Sequence, residues 1–147
     1  MSTDTLPRPE ECNCLAVRQA ARHVTQFYDQ TMAPVGLRIS QFSILAKLQR
    51  LGPLSVNALA AEMVMDRTTL GRAIQPLVRQ RLVAIDRRDT DRRTKELHLT
   101  DAGAARLRDG VKQWIRAQDR FEEIFGTERT ADLRALLHAV TARELAS

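Results

Sequence analysis

Residues 66–100 read DRTTLGRAIQPLVRQRLVAIDRRDTDRRTKELHLT, and two patterns follow one another in them. From Asp66, a fitting N-cap, Leu70, Ile74, Leu77 and Val78 recur at helical spacing. Arg67, Thr68, Thr69, Arg72 and Arg79 then fall on the outer face of a helix running to about Gln80. Pro76 removes the N–H that would bond the Arg72 carbonyl, so a bend is expected there, without a break because the period continues. From Leu82 the pattern shortens. Leu82-Val83-Ala84-Ile85, the charged run Asp86 to Glu96, and Leu97-His98-Leu99-Thr100 read as a β-hairpin with an arginine-bearing tip.

On the N-terminal side, Ser55 caps a short helix built on Ala58, Leu59 and Met63. Before it, Ser40 is expected to cap a helix that turns Phe42, Ile44, Leu45 and Leu48 inward and closes at Gly52-Pro53. The first helix should run from Asn13 to Met32, with Val17, Ala21, Val24 and Tyr28 as its stripe, widened by Ala20 and Phe27, and Pro34 and Gly36 beyond its end. On the C-terminal side, Thr100 caps a long helix whose Leu107, Val111, Trp114, Gln118, Phe121 and Phe125 follow heptad spacing. Gly126 stops it, and Leu133, Leu137 and Val140 mark one side of a last helix from Thr127.

The chain of 147 residues is the length of one domain, with 44% hydrophobic and 28% charged residues, which excludes disorder. No stretch approaches the roughly 18 continuous apolar residues of a membrane span, so no membrane partner is expected. The polar, acidic N-terminus lacks the apolar core of a signal peptide, and two cysteines are too few for a disulfide scaffold. A cytoplasmic location is expected. The net charge is +5, and residues 66–99 hold nine basic against five acidic residues, so most of the surplus sits in that one window. A cationic segment in a near-neutral body points to a polyanion or is simply a solvated face; pattern decides between them.

The pattern favours DNA. Two short helices, a third with an Arg/Thr-rich exposed N-terminal end, then a basic hairpin, is the layout of a winged helix-turn-helix. Such a reader helix fits the major groove of double-stranded DNA, where arginine donates to guanine O6 and N7 together. Threonine can bond a phosphate or touch a thymine methyl. Gly71 would let a groove wall approach the backbone, or it is a tolerated surface glycine. An arginine of the hairpin tip suits the narrow minor groove, where the potential is most negative. The expected fold is thus mainly α with a small β-hairpin wing. The DNA-binding unit spans 37–100 of a single domain covering 1–147.

Asp91-Arg92-Arg93-Thr94-Lys95-Glu96-Leu97-His98-Leu99-Thr100 fits the signature D-x-R-x-x-x-x-x-L-T at all its fixed positions, and Asp101-Ala102-Gly103 continues it. In this the chain resembles the multiple-antibiotic-resistance regulator (MarR) family of bacterial transcription factors. Ser40-Gln41-Phe42 with Leu45 and Leu48 is similar to the family's second helix, and Asp66-Arg67-Thr68-Thr69 with Arg72 to its recognition helix. Pro76 departs from the commonest pattern. The resemblance covers residues 14–145. It implies DNA contacts at Ser40, Gln41, Arg67, Thr68, Thr69, Arg72, Arg88 and Arg93, with Asp91 orienting Arg93. It also implies a homodimer held by helices at 13–34 and 101–145, a repressor on palindromic operators, and release by a small-molecule effector. The apolar stripes on those helices support the dimer independently, because a three-helix reading unit cannot cover them.

The expected effector pocket lies between the dimer helices and the reading unit. Its candidates are Tyr28, Phe42 and Trp114, which could equally be packing residues, and Arg18, Arg22 and Arg38, which would pair an aromatic acid or acyl compound. Cys12-Asn13-Cys14 lacks enough partners for a metal site, since His23, His98 and His138 show no ligand spacing. Cys14, fourteen residues before Tyr28, resembles the placement in the family's peroxide-sensing branch, but Arg18 stands where that branch has a second tyrosine. A redox sensor using Cys14 is therefore the alternative, against a cysteine that only packs. No nucleophile–base order, phosphate-cradling glycine loop or paired carboxylates appear, so neither catalysis nor a cofactor is expected. An architectural DNA binder would need more charge and no extra helices.

Overall fold

The computed structural model describes residues 6–87 and 95–146. A 3-10 turn, Pro9–Glu11, leads into α1 (Asn13–Met32), and a second, Ala33–Val35, into α2 (Ile39–Leu51). Then come β1 (Leu54–Ser55), α3 (Val56–Met63), α4 (Arg67–Arg79), β2 (Val83–Arg87), β3 (Lys95–Leu99), α5 (Asp101–Phe125) and α6 (Thr127–Thr141). α4 continues through Pro76 to Arg79, as its unbroken apolar period requires.

Side-chain caps set several boundaries. Ser55 Oγ accepts from the Ala58 N–H at 3.1 Å, and Asp66 Oδ1 from the Thr69 N–H at 2.7 Å. Thr100 Oγ1 accepts from the Gly103 N–H at 3.0 Å while donating to the Arg81 carbonyl at 2.7 Å, which ties the start of α5 to the entry of β2. The cap expected at Ser40 is not there. Arg38 occupies the cap position, its N–H donating to Gln41 Oε1 at 2.9 Å, and the Ile39 N–H is received by Asp29 of α1 at 2.8 Å. A carboxylate brought in from another helix does the work assigned to a local serine.

The strands also differ from the expectation. β2 starts one residue later and both strands extend into the charged run, because Asp86 pairs with Glu96 and Arg87 with Lys95. β1 was not anticipated, since two residues carry no period. It adds Leu54 opposite Leu97 and Ser55 opposite Glu96, giving an antiparallel sheet in the order β1-β3-β2.

The core belongs to the reading unit. Ile44, Leu45, Leu59, Leu70, Leu77 and Leu97 are fully buried, with Phe42, Leu48, Ile74 and Val83 nearly so. Met32 and Leu107 close it from α1 and α5. α5 seats on the wing through Gly103, where a Cβ would lie 2.1 Å from the Leu82 carbonyl oxygen, a distance no side chain tolerates. Outside that unit the helices are only partly covered: Val17, Val111, Ile115, Ile124, Leu136, Leu137 and Val140 are all exposed in the single chain. Of the heptad row on α5, Leu107 is buried and Val111 is 38% exposed, so only part of it is satisfied within one chain.

Candidate nucleic-acid interface and effector cavity

α4 has two faces of different chemistry. Leu70, Ile74 and Leu77 bury one against α2 and α3, while Arg67, Thr68, Thr69, Arg72, Gln75 and Arg79 are exposed on the other. Thr68, Arg72, Gln75 and Arg79 are spaced 4, 3 and 4 and form one solvent stripe along the helix. Gln75 was passed over in the sequence, although that spacing could have found it; a glutamine amide matches the adenine edge in the major groove. Thr69 has a second task, its hydroxyl donating to Asp66 Oδ2 at 2.9 Å. The bonds from the Thr69 N–H and then its hydroxyl hold the Asp66 carboxyl below the usual carboxylate range. At Gly71 a Cβ would meet nothing within 4 Å, so nothing within the described chain requires glycine there.

Beside this stripe, Arg67, Gly71, Gln75 and Arg79 of α4 and Lys95 of β3 line a shallow groove between the reader helix and the wing. Its three cations suit a phosphate backbone. Ser40 is exposed on the first turn of α2, and Gln41 is half-buried with its amide oxygen engaged at the helix start. Arg88, Asp91 and Arg93 lie outside the described residues.

A cavity of about 400 Å³ opens where α1, α2, α5 and α6 meet. α1 contributes Val24, Thr25 and Tyr28, and α2 contributes Ile39 and Ser43. α5 supplies Trp114, Gln118, Phe121 and Glu122, while Thr130, Leu133, Arg134, Leu137 and His138 form the α6 wall. The Tyr28 hydroxyl donates to Gln118 Oε1, joining α1 to α5 across the cavity. Burial pushes the Tyr28 phenol above its ordinary value; Glu122 adds to the rise and Arg134 opposes it.

Of the residues expected at an effector pocket, this cavity brings together Tyr28 and Trp114. Phe42 is buried behind them, stacked on Trp114 at 6.2 Å between ring centroids. Arg18 and Arg22 are exposed and outside its lining, because the cavity begins on α1 only at Val24; Arg38 is exposed at the cap of α2. The basic side chains come instead from α6, as Arg134 and His138. No spacing in the sequence marks them, since α6 reaches α1 only through the corner at Gly126, whose φ of +103° favours glycine. Cys12 caps α1, its Sγ accepting from the Leu15 N–H at 3.4 Å, and Cys14 is exposed on the first turn, away from the cavity lining.

Comparison with known proteins agrees with this geometry. A model of the MarR family matches residues 35–94. No curated protein sequence matches the chain. The M. tuberculosis transcriptional regulator MosR, solved in complex with DNA, is 34% identical with a TM-score of 0.77, over 90% of this chain and 98% of that one. The transcriptional repressor CouR bound to a 23-mer DNA duplex is 26% identical with a TM-score of 0.81, over 95% of this chain and 100% of that one. CouR bound to p-coumaroyl-CoA gives 26% and 0.80, over 92% and 95%. No helix among the described residues is long and apolar enough to cross a membrane. With an exposed basic reader helix beside a wing, a family model on that unit and a relative at this identity over nearly its whole length, the chain belongs to the MarR family of DNA-binding transcriptional regulators.

Proposed function

We propose that the protein is a cytoplasmic repressor that binds palindromic operators as a homodimer and is released by a small molecule in the α1/α2/α5/α6 cavity. The observation that carries this reading is the position of that cavity. Ile39 and Ser43 in its lining belong to α2, and α2 packs on α4. A ligand wedged there has leverage on the reader helix. It acts only through its differential affinity for the dimer that matches successive grooves and the one that does not. The related CouR structures, one on DNA and one on an acyl thioester, support this assignment of roles.

In this reading residues 37–100 read the DNA: the Thr68–Arg72–Gln75–Arg79 stripe and Arg67 enter the major groove, Ser40 and Gln41 approach the backbone, and Arg88 and Arg93 of the wing tip, with Asp91, reach the minor groove. Residues 13–34 and 101–145 form the dimer. The exposed apolar residues of α1, α5 and α6 supply its interface, related by a two-fold axis that pairs two reader helices. The test is selection of bound fragments from genomic DNA followed by sedimentation of the complex. Two half-sites about 10 bp apart, centre to centre, bound by two chains are expected. A monomer that occupies the full palindrome would overturn the dimeric reading.

The second reading, a thiol switch at Cys14, is favoured by one observation: Cys14 is exposed on the first turn of α1, open to oxidants, with the exposed Cys12 just before it. Operator release by mild peroxide in the wild type, lost in Cys14→Ser, would establish it. Indifference of both proteins would leave the small-molecule reading.

A further inference from the structure

We propose that Arg72 and Gln75 of α4 read two neighbouring base pairs of the operator half-site, Arg72 a guanine and Gln75 an adenine, the adenine being fixed by both halves of the Gln75 amide. This rests on reading α4 as the helix that enters the major groove, and it assigns the bases that helix selects.

Gln75 stands among charges and carries none. In the groove between α4 and the wing, Arg67, Arg79 and Lys95 supply the cations, and Gln75 is the uncharged polar side chain set between them. The cations suit phosphate, which offers acceptors only. Against a phosphate the NH2 of the amide would be used and its oxygen left idle. The major-groove edge of adenine presents the N7 acceptor beside the N6 donor, so both halves of the amide engage at once. Gln75 is exposed, and no hydrogen bond within the described residues occupies its amide.

The neighbours of Gln75 on α4 point the same way. Gly71 lies one turn before it on the same groove wall, and nothing stands within 4 Å of a Cβ built there. The wall in front of the amide is therefore open to a base edge. Arg72 is exposed and lies outside the lining of that groove. Its guanidinium carries donors alone and matches the paired O6 and N7 acceptors of guanine. Three residues of helix rise about 4.5 Å and one base pair about 3.4 Å, so the two side chains reach base pairs one or two steps apart.

The experiment is selection of bound duplexes from a library randomised over about 20 base pairs, enough for two half-sites, at one fixed salt concentration. The full chain is used as wild type, Arg72→Ala, Gln75→Ala and Gln75→Glu. The wild type should enrich a half-site with a guanine and an adenine one or two steps apart, each preferred about tenfold over other bases. Gln75→Ala should lose the adenine preference and keep the guanine; Arg72→Ala should do the reverse. Gln75→Glu, whose carboxylate only accepts, should move the preference at that one position from adenine to cytosine, whose N4 donates. A merely structural role for Gln75 would not change the base chosen at a single position. Equal weakening of all sequences by Gln75→Ala, with the adenine preference intact, would place Gln75 on the phosphates and overturn the proposal. A selected half-site lacking that guanine–adenine pair would overturn it too. Wild-type binding that enriches no sequence would overturn the operator reading itself, and the base assignment with it.

Discussion

The Asp29 carboxylate, near the end of α1, accepts the Ile39 N–H at 2.8 Å and so caps α2 from outside the reading unit. The first N–H groups of a helix have no intrahelical partner, and a carboxylate there also meets the positive end of the helix dipole. Asp29→Ala is expected to cost about 1 kcal/mol of stability, in the range of other cap removals. Denaturant melts of the two proteins measure it. Because α1 carries part of the proposed dimer face, the same bond links that face to the helix behind the reader. An unchanged melting midpoint would show that water replaces the carboxylate at no cost.

Base reading and backbone contact should separate along the exposed stripe of α4. Arg72→Ala should cost about 1–3 kcal/mol on the operator and far less on unrelated DNA, if its fork reads a guanine edge. Arg79→Ala, farther from the N-terminal end and beside Lys95, should weaken both DNAs alike and lower the salt slope by about one. Fluorescence titrations at several salt concentrations decide. Equal losses on both sequences for Arg72→Ala would move that residue to the backbone class.

Gly71 offers a test in which stability and function move in opposite directions. Nothing lies within 4 Å of a Cβ built there, and its backbone is helical, so Gly71→Ala should stabilise the fold by about 0.5–1 kcal/mol. The methyl would project into the groove between α4 and the wing. Operator affinity should fall while the melting temperature rises. A variant both more stable and fully competent on DNA would show that no DNA surface approaches position 71.

The start of the reader helix should resist acid. Asp66 is held below its ordinary value by the Thr69 N–H and then the Thr69 hydroxyl. A lowered folded-state pKa stabilises the fold above the unfolded carboxylate value of about 3.9, and that contribution disappears as pH falls through the folded value. The cap is therefore fully present at neutral pH and is released as pH falls through the lowered folded value. Carbon NMR of the Asp66 carboxyl should titrate below the usual carboxylate range. Asp66→Asn, whose amide oxygen still accepts the bond, should fold with that titration removed. An ordinary Asp66 value in the folded protein would mean the Thr69 bonds do not persist in solution.

Features that depend on neighbours along the chain can be read directly from the residues. Ser55, Asp66 and Thr100 cap their helices because an N-cap oxygen reaches an N–H only three residues away, and the α4 period survives Pro76 because one lost bond does not outweigh Leu70, Ile74 and Leu77 in the core. The wing was legible for the same reason: two short apolar-bearing runs, 82–85 and 97–100, on either side of a charged run need no distant partner to be read as a hairpin. Features that join remote segments depend on the folded arrangement. Asp29 displaces Ser40 as the cap of α2 because folding places α1 beside it, and β1 exists because Leu54 meets Leu97. The cavity is the largest such case. The arginines conspicuous in the sequence, Arg18 and Arg22 of α1, lie outside its lining; the fold puts Arg134 and His138 of α6 there instead. Which face of α6 turns to the cavity is set by the turn at Gly126 and by packing on α5, and helical spacing within α6 carries no record of either.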